Sequence, residues 1–216
     1  MIVNERMTSF INSFEQGNSS CLEELEMEAR KTNVPIIRTE MQSLMRFLLK
    51  LHQPHSILEV GSAIGFSALL MKENAPSDCR ITTIEKYEKR IPIARENFKR
   101  LDKDGHITLL EGDAAEILKT LDPYYDFIFM DAAKGQYLNF LPDLLRLMRP
   151  GALLVSDNVL QDGNLIESRY AVNRRDRTIH SRMREYLYTL THMPELQTTI
   201  LTVGDGVTLS VRKEVL

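Results

Sequence analysis

Apolar residues recur along this chain in two alternating rhythms. At residues 4–14 and 20–31 they fall at helical spacing, and Ser19 or Ser20, after Gly17, is suited to cap the second segment. Residues 39–51 repeat the pattern more strongly. Met41, Leu44, Met45, Phe47, Leu48 and Leu51 make a broad apolar helix face on which the methionines act as core filling. Between these helices Val34-Pro35-Ile36-Ile37 is extended, because a residue before proline avoids the helical region, and it reads as a connecting segment lying over a ligand. The rhythm then changes. Near-continuous apolar runs at 56–60, 80–85, 107–110, 125–130 and 152–156 alternate with helical patterns, including 88–100 and one ending at Leu147. Such alternation predicts a buried parallel sheet covered by helices. A Pro150-Gly151 turn introduces the last of these strands. Residues 197–203 and 207–211 flank Gly204-Asp205-Gly206, a hairpin signal. The expectation is an α/β, Rossmann-like domain at 34–216 with a mostly parallel seven-stranded sheet ending in an antiparallel hairpin. A helical appendage at 1–33 precedes it, and an arginine-rich helical insertion occupies about 161–191.

The most informative stretch is Ser56-Ile57-Leu58-Glu59-Val60-Gly61-Ser62-Ala63-Ile64-Gly65-Phe66-Ser67, a strand that stops at a glycine and restarts as a helix. Gly61 can take the positive φ of a sharp strand-to-helix turn, and its missing Cβ admits a ligand against the backbone. In open α/β sheets ligands bind beyond the carboxyl ends of the strands, so this turn marks a cofactor site. A dinucleotide fold wants G-x-G-x-x-G for its pyrophosphate. Here the spacing is Gly61-x-x-x-Gly65 behind an acidic Glu59, which suits a cationic, phosphate-free ligand such as S-adenosylmethionine. The plainer alternative is a βα turn with glycines kept for packing. Glu85 ends the second strand at the distance expected of a ribose-binding carboxylate. Asp113, in Glu111-Gly112-Asp113-Ala114, either caps the next helix or borders the cofactor.

Composition narrows the setting. With 216 residues and a net charge of -3 the chain suits one globular domain and not a general nucleic-acid coat, although a local basic face stays open. Cys21 and Cys79 are far apart, so neither a disulfide framework nor a thiolate metal site is expected, and a reduced cytoplasm is the natural location. No stretch predicts a membrane span or an export signal, so no membrane partner is expected.

Chemistry concentrates at two strand ends. Asp131 closes the fourth strand and Asp157-Asn158 the fifth, bringing two carboxylates and an amide to one sheet edge. Mg²⁺ prefers such hard oxygen donors with room for water, and the scattered histidines do not favour zinc. Acidic residues at strand ends also simply cap helices or line a solvated rim; Lys134, three residues beyond Asp131, favours the catalytic reading.

Taken in order, Leu58-Glu59-Val60-Gly61, Gly65-Phe66-Ser67, Glu85, Asp131-x-x-Lys134, Asp157-Asn158-Val159 and Val203-Gly204-Asp205-Gly206 resemble the cation-dependent O-methyltransferases, the family of catechol and caffeoyl-CoA methyltransferases. The resemblance implies a class I S-adenosylmethionine-dependent methyltransferase fold. It implies that Glu59, Gly61, Ser67, Glu85, Asp113 and Ala114 hold the cofactor, with Ile36 over its methionine end and Asp131 beside it. It gives Asp131, Asp157 and Asn158 to Mg²⁺, with Mn²⁺ an alternative, makes Lys134 the base or electrostatic partner of the substrate oxygen, and suggests a homodimer. Within the family, Asp131-Ala132-Ala133-Lys134-Gly135-Gln136-Tyr137, Asp157-Asn158-Val159-Leu160 and the insertion that follows are similar to bacterial tRNA 5-hydroxyuridine methyltransferases. That likeness implies the tRNA anticodon loop as substrate. Arg169, Arg174, Arg175, Arg177 and Arg182 would then meet phosphates, and Tyr170 would stack on an unpaired base. A solvated helix with locally paired arginines, or an anionic coenzyme A ester as substrate, would explain part of the same pattern. A small catechol-like or acyl-CoA phenol, and a silent cofactor-binding module, are the competing functions.

Overall fold

The structure, a computed structural model, describes residues 4–122 and 124–214. Residues 1–3 and 215–216, the outer ends of the two predicted segments, lie outside the described residues. Five strands, β1 (Ser56–Val60), β2 (Arg80–Glu85), β3 (Ile107–Glu111), β4 (Tyr125–Met130) and β5 (Met148–Ser156), run parallel. The hairpin strand β7 (Val207–Arg212) inserts antiparallel between β5 and β6 (Leu196–Leu201), giving the order β3-β2-β1-β4-β5-β7-β6. The predicted mixed sheet of seven strands is therefore present.

Period-two alternation divides the sheet between two cores. Ile57, Phe127, Phe129, Leu153 and Val155 pack on one side with α2 (Ser20–Lys31), α3 (Thr39–His52), α4 (Phe66–Asn74) and α5 (Ile91–Leu101). Leu58, Val60, Ile128, Met130 and Leu154 pack on the other with α6 (Ala114–Thr120), α7 (Tyr137–Leu147) and α8 (Arg177–His192). The chain reverses its direction of winding between the neighbours β1 and β4, and the crevice above that switch is where ligands of open α/β sheets bind.

The N-terminal segments differ from one another. Ser19 caps α2, which buries Leu22, Leu25 and Ala29 in the core shared with α3 and α4. The first helix, α1 (Glu5–Asn12), is capped by Asn4 and buries nothing, leaving Met7, Phe10, Ile11 and the following Phe14 exposed.

Three boundaries depart from the sequence pattern. Helix α5 starts at Ile91 and not at residue 88, since Pro92 lacks an N–H and fits only the first turn. Pro150-Gly151 is no turn ahead of a strand. Tyr125 pairs with Met148 while Phe127 pairs with Leu153, so β5 carries Arg149, Pro150 and Gly151 through an irregularity. The insertion is helical only in parts, a 3-10 segment at Gln161–Ile166 and then α8, with residues 167–176 between them outside either helix.

Candidate active site

A cavity of about 570 Å³ opens at the carboxyl ends of β1, β2, β4 and β5. It is built from backbone outward. Gly61 sits at φ 102°, and its N–H donates to Ile84 while the N–H of Asp131 donates to Val60 and that of Asp157 to Met130. Neighbouring strand ends are thus tied in a row, each presenting the residue after its last paired position to the cavity. Tyr137, fully buried, pins two of them by donating its hydroxyl to the carbonyls of Asp157 and Met130, at 3.0 and 3.3 Å.

Glu85 forms one wall. Its carboxylate accepts the N–H groups of Ala63 (2.6 Å), Lys86 (2.9 Å) and Tyr87 (2.8 Å), so it locks the turn after β1 to the turn after β2. Asp113 does both things the sequence allowed: it caps α6 through the N–H of Ala115 at 2.9 Å, and with Ala114 it lines the cavity. The Ala115 N–H first, and then Lys86 at 3.3 Å, hold its carboxyl below the usual range. Ile36 also lines the cavity, in the segment between α2 and α3.

Asp131, Lys134, Asp157 and Asn158 meet in the same cavity. Asn158, at φ 59°, donates its side-chain amide to Asp131 Oδ1 at 3.1 Å and its backbone N–H to Asp157 Oδ1 at 2.7 Å. Burial pushes both carboxyls up, Asp157 to about 7, with the neighbouring Asp131 raising it further. Among the described residues neither carboxylate has a basic side chain in ion-pair contact. A buried pair of carboxylates without a direct ion-pair partner, beside an amide, is a donor set that fits a hard dication. With two carboxylates and one amide as its protein donors, such an ion would keep water or substrate oxygens in its remaining positions.

The structure places Glu59 and Ser67 in contact with each other. Neither lines the cavity. Alternation along β1 turns Val60 into the core under α6, α7 and α8 and Glu59 to the other side of the sheet, where the carboxyl accepts hydrogen bonds from Ser67 and Thr83 hydroxyls. These residues brace the turn from beneath. Glu59 is wholly buried, and burial raises its carboxyl from 4.5 to about 7. The folded chain therefore binds a proton that the unfolded chain releases, and stability falls as pH rises from 4.5 to about 7. Glu59→Gln should remove a component on the order of 3 kcal/mol from that decline. Thermal unfolding from pH 5 to 8 checks it: an unchanged slope in the variant would show that Glu59 does not carry this term.

The insertion residues lie outside the cavity lining. Arg169, Tyr170, Arg174 and Arg175 are exposed, Tyr170 at 83 %. Arg177 bonds the carbonyls of Val172 and Tyr170 and stacks over the Tyr170 ring at 5.8 Å. Arg182 donates to the carbonyl of Gly135 at 2.8 Å, fastening α8 to the turn that carries Lys134. These last two arginines are committed to shaping the insertion.

Sequence reasoning missed Asp205 and Arg38, both in the cavity wall. Asp205 entered the sequence reading as part of the Val203-Gly204-Asp205-Gly206 hairpin motif, with no role in the site, and nothing local marks Arg38.

The profile of a family described as O-methyltransferase matches residues 12–213. A catechol O-methyltransferase of Niastella koreensis is 34% identical over 127 residues, spanning 57% of this chain and 58% of that one. Caffeoyl-CoA O-methyltransferase 2 of Populus trichocarpa is 29% identical over 205 residues, spanning 89% and 81%. Among solved structures, the O-methyltransferase from Bacillus cereus in complex with SAH superposes with a TM-score of 0.84 at 25% identity, covering 96% of this chain and 97% of that one. An SAH-bound methyltransferase of Podospora anserina gives 0.87 at 28% identity, covering 98% and 97%.

Proposed function

This chain belongs to the cation-dependent O-methyltransferase family, and from that premise we propose that it methylates 5-hydroxyuridine at the tRNA wobble position to 5-methoxyuridine. The observation that carries the chemistry is one cavity holding Asp131, Asp157, Asn158 and Lys134 against the Gly61 turn and Glu85. Asp131, Asp157 and Asn158 would hold Mg²⁺, with Mn²⁺ the alternative. When bound, S-adenosylmethionine supplies the electrophilic methyl group and the divalent ion supplies the positive charge that makes a chelating hydroxyl acidic. Gly61, with Glu59 and Ser67 bracing its turn, would seat the cofactor, the Glu85 carboxylate would take its ribose hydroxyls, Asp113 and Ala114 would flank it, and Ile36 would cover its methionine end. Lys134 takes the acceptor's proton or stabilises the resulting oxygen anion. The tied strand ends keep these groups in register, so positioning contributes much of the rate.

The exposed Arg169, Arg174, Arg175 and Tyr170, joined to the Lys134 turn through Arg182, support the RNA part of the reading. 5-Hydroxyuridine also presents neighbouring hydroxyl and carbonyl oxygens, as a catechol does. A small catechol-like or acyl-CoA phenol is the second reading, and the printed names of the relatives favour it. Methyl transfer to tRNA bearing 5-hydroxyuridine, with and without Mg²⁺ and with a catechol in parallel, separates the two. Arg174→Ala with Arg175→Ala should lower transfer to tRNA about tenfold or more, reduce the slope of log affinity against log salt by about one per arginine, and leave a catechol unaffected. Methylation of the catechol alone would reject the RNA reading. A homodimer belongs to the same proposal, supported by the exposed apolar side of α1; a monomer in sedimentation equilibrium would remove it.

A further inference from the structure

Lys134 has one ionic partner among the described residues, and it is none of the groups assigned above. Its Nζ lies 3.5 Å from Asp205 Oδ2, in the turn between β6 and β7. Asp205 is 4 % exposed, although it lines the cavity. A buried carboxylate needs partners, and this one is held from two directions. Its other oxygen accepts the N–H of Asp162, whose own carboxylate pairs with Arg38 at 3.2 Å. Its backbone carbonyl accepts Leu160 N–H at 3.0 Å, and the next carbonyl, of Gly206, accepts Val159 N–H at 2.9 Å. Gly206 lies at φ 85°, and a Cβ there would stand 2.3 Å from Leu160 Cγ, so the hairpin tip sits directly on the segment leaving Asp157-Asn158.

The geometry points to Asp205 as a positioning residue for the methyl-transfer reaction, one that aims the Lys134 amine at the acceptor oxygen. This rests on the methyltransferase reading above. Lys134 is the end of a flexible side chain rising from a short 3-10 turn, a third exposed, and left to itself its amine would sample solvent. Asp205 is the rigid member of the pair, because three backbone N–H groups of the strap hold the turn, one on its carboxylate and two on the carbonyls of Asp205 and Gly206. The arrangement also binds three separate parts of the chain to one carboxylate: the Lys134 turn after β4, the strap after β5, and, through Asp162, the Arg38 segment before α3. Catalytic geometry at one strand end is thereby made to depend on a hairpin more than 70 residues away in sequence.

Asp205→Asn keeps an acceptor for the Asp162 N–H and removes the attraction for Lys134, so it is the variant of choice; Asp205→Ala removes both. In Asp205→Asn, kcat for methyl transfer should fall about tenfold or more, with the KM for S-adenosylmethionine changed less than about twofold. The same change made in Lys134→Ala should cost almost nothing, because a residue acting through Lys134 has nothing left to act through. Effects that multiply in the double variant would overturn the proposal, as would wild-type kcat in Asp205→Asn. A second readout does not use turnover. With lysines carrying ¹³C-dimethyl labels and the Lys134 signal assigned from its absence in Lys134→Arg, that signal should move in Asp205→Asn; an unmoved signal overturns the link. If wild-type protein methylates neither tRNA bearing 5-hydroxyuridine nor a catechol, the functional reading fails, and the labelled signal still decides whether Asp205 holds Lys134.

Discussion

Asp157→Asn is expected to reduce methyl transfer by roughly three orders of magnitude while raising the unfolding temperature of protein stripped of divalent ions. The two effects share a cause. Asp157 is buried beside Asp131, and burial, reinforced by that neighbour, pushes its carboxyl to about 7. The folded chain gains protons relative to the unfolded one, so the carboxylate becomes a burden as pH rises toward 7 and remains one above it. Asparagine keeps an acceptor for the N–H of Asn158, held at 2.7 Å in the native protein, and removes the charge. The same charge is half of the anionic pair that would hold the dication, so relief of strain and loss of function come together. Turnover with added Mg²⁺ and unfolding temperature at pH 8 in a chelator test the two halves separately. Wild-type turnover in Asp157→Asn would remove the site from this position, and a lowered unfolding temperature would show that its carboxylate contributes net stability.

The Gly61→Ala variant should be the most damaging of the single-atom changes. A Cβ at this position would stand 2.0 Å from the carbonyl oxygen of Asp131 and 2.8 Å from its carbonyl carbon, and φ is 102°. Both obstacles are backbone, so no side chain can move aside. The ends of β1 and β4 would have to part, which displaces Asp131 and opens the turn that Ala63 and Glu85 close. A loss of roughly 3 kcal/mol or more in stability is expected, together with weakened S-adenosylmethionine binding. Gly105→Ala is the control. Its φ of 66° carries backbone strain, but nothing lies within 4 Å of the added carbon, so about 1 kcal/mol is expected there. Denaturant unfolding and calorimetric titration with the cofactor measure both. Equal losses in the two variants would mean that left-handed backbone strain, and not the Asp131 contact, makes Gly61 a glycine.

Much of this protein was written in local pattern. Short apolar strands alternating with helices set the parallel sheet, and a glycine-flanked turn set the terminal hairpin. The acidic residues that end β4 and β5 were legible because a side chain placed just beyond a parallel strand has few places to go other than the carboxyl edge. The chemical character of Asp131, Lys134, Asp157 and Asn158 could therefore be assigned before any coordinate, and the structure brings all four to one cavity.

Glu59 shows where that logic stops. Its charge and its place before Gly61 suggested a cofactor contact, and nothing local showed that its carboxyl would be wholly buried and bonded by the hydroxyls of Ser67 and Thr83. Asp205 shows the converse. A lone aspartate between glycines reads as turn chemistry, and its contact with Lys134 exists only because β7 enters the sheet beside β5. Sequence alone determined the order of elements, the parallel sheet and the identity of the groups at its carboxyl edge, since these depend on periodicity and on residues close in the chain. Only the tertiary structure decided which carboxylates face the cavity and which brace it, and which distant carboxylate aims Lys134, because those outcomes depend on strand neighbours that no local pattern encodes.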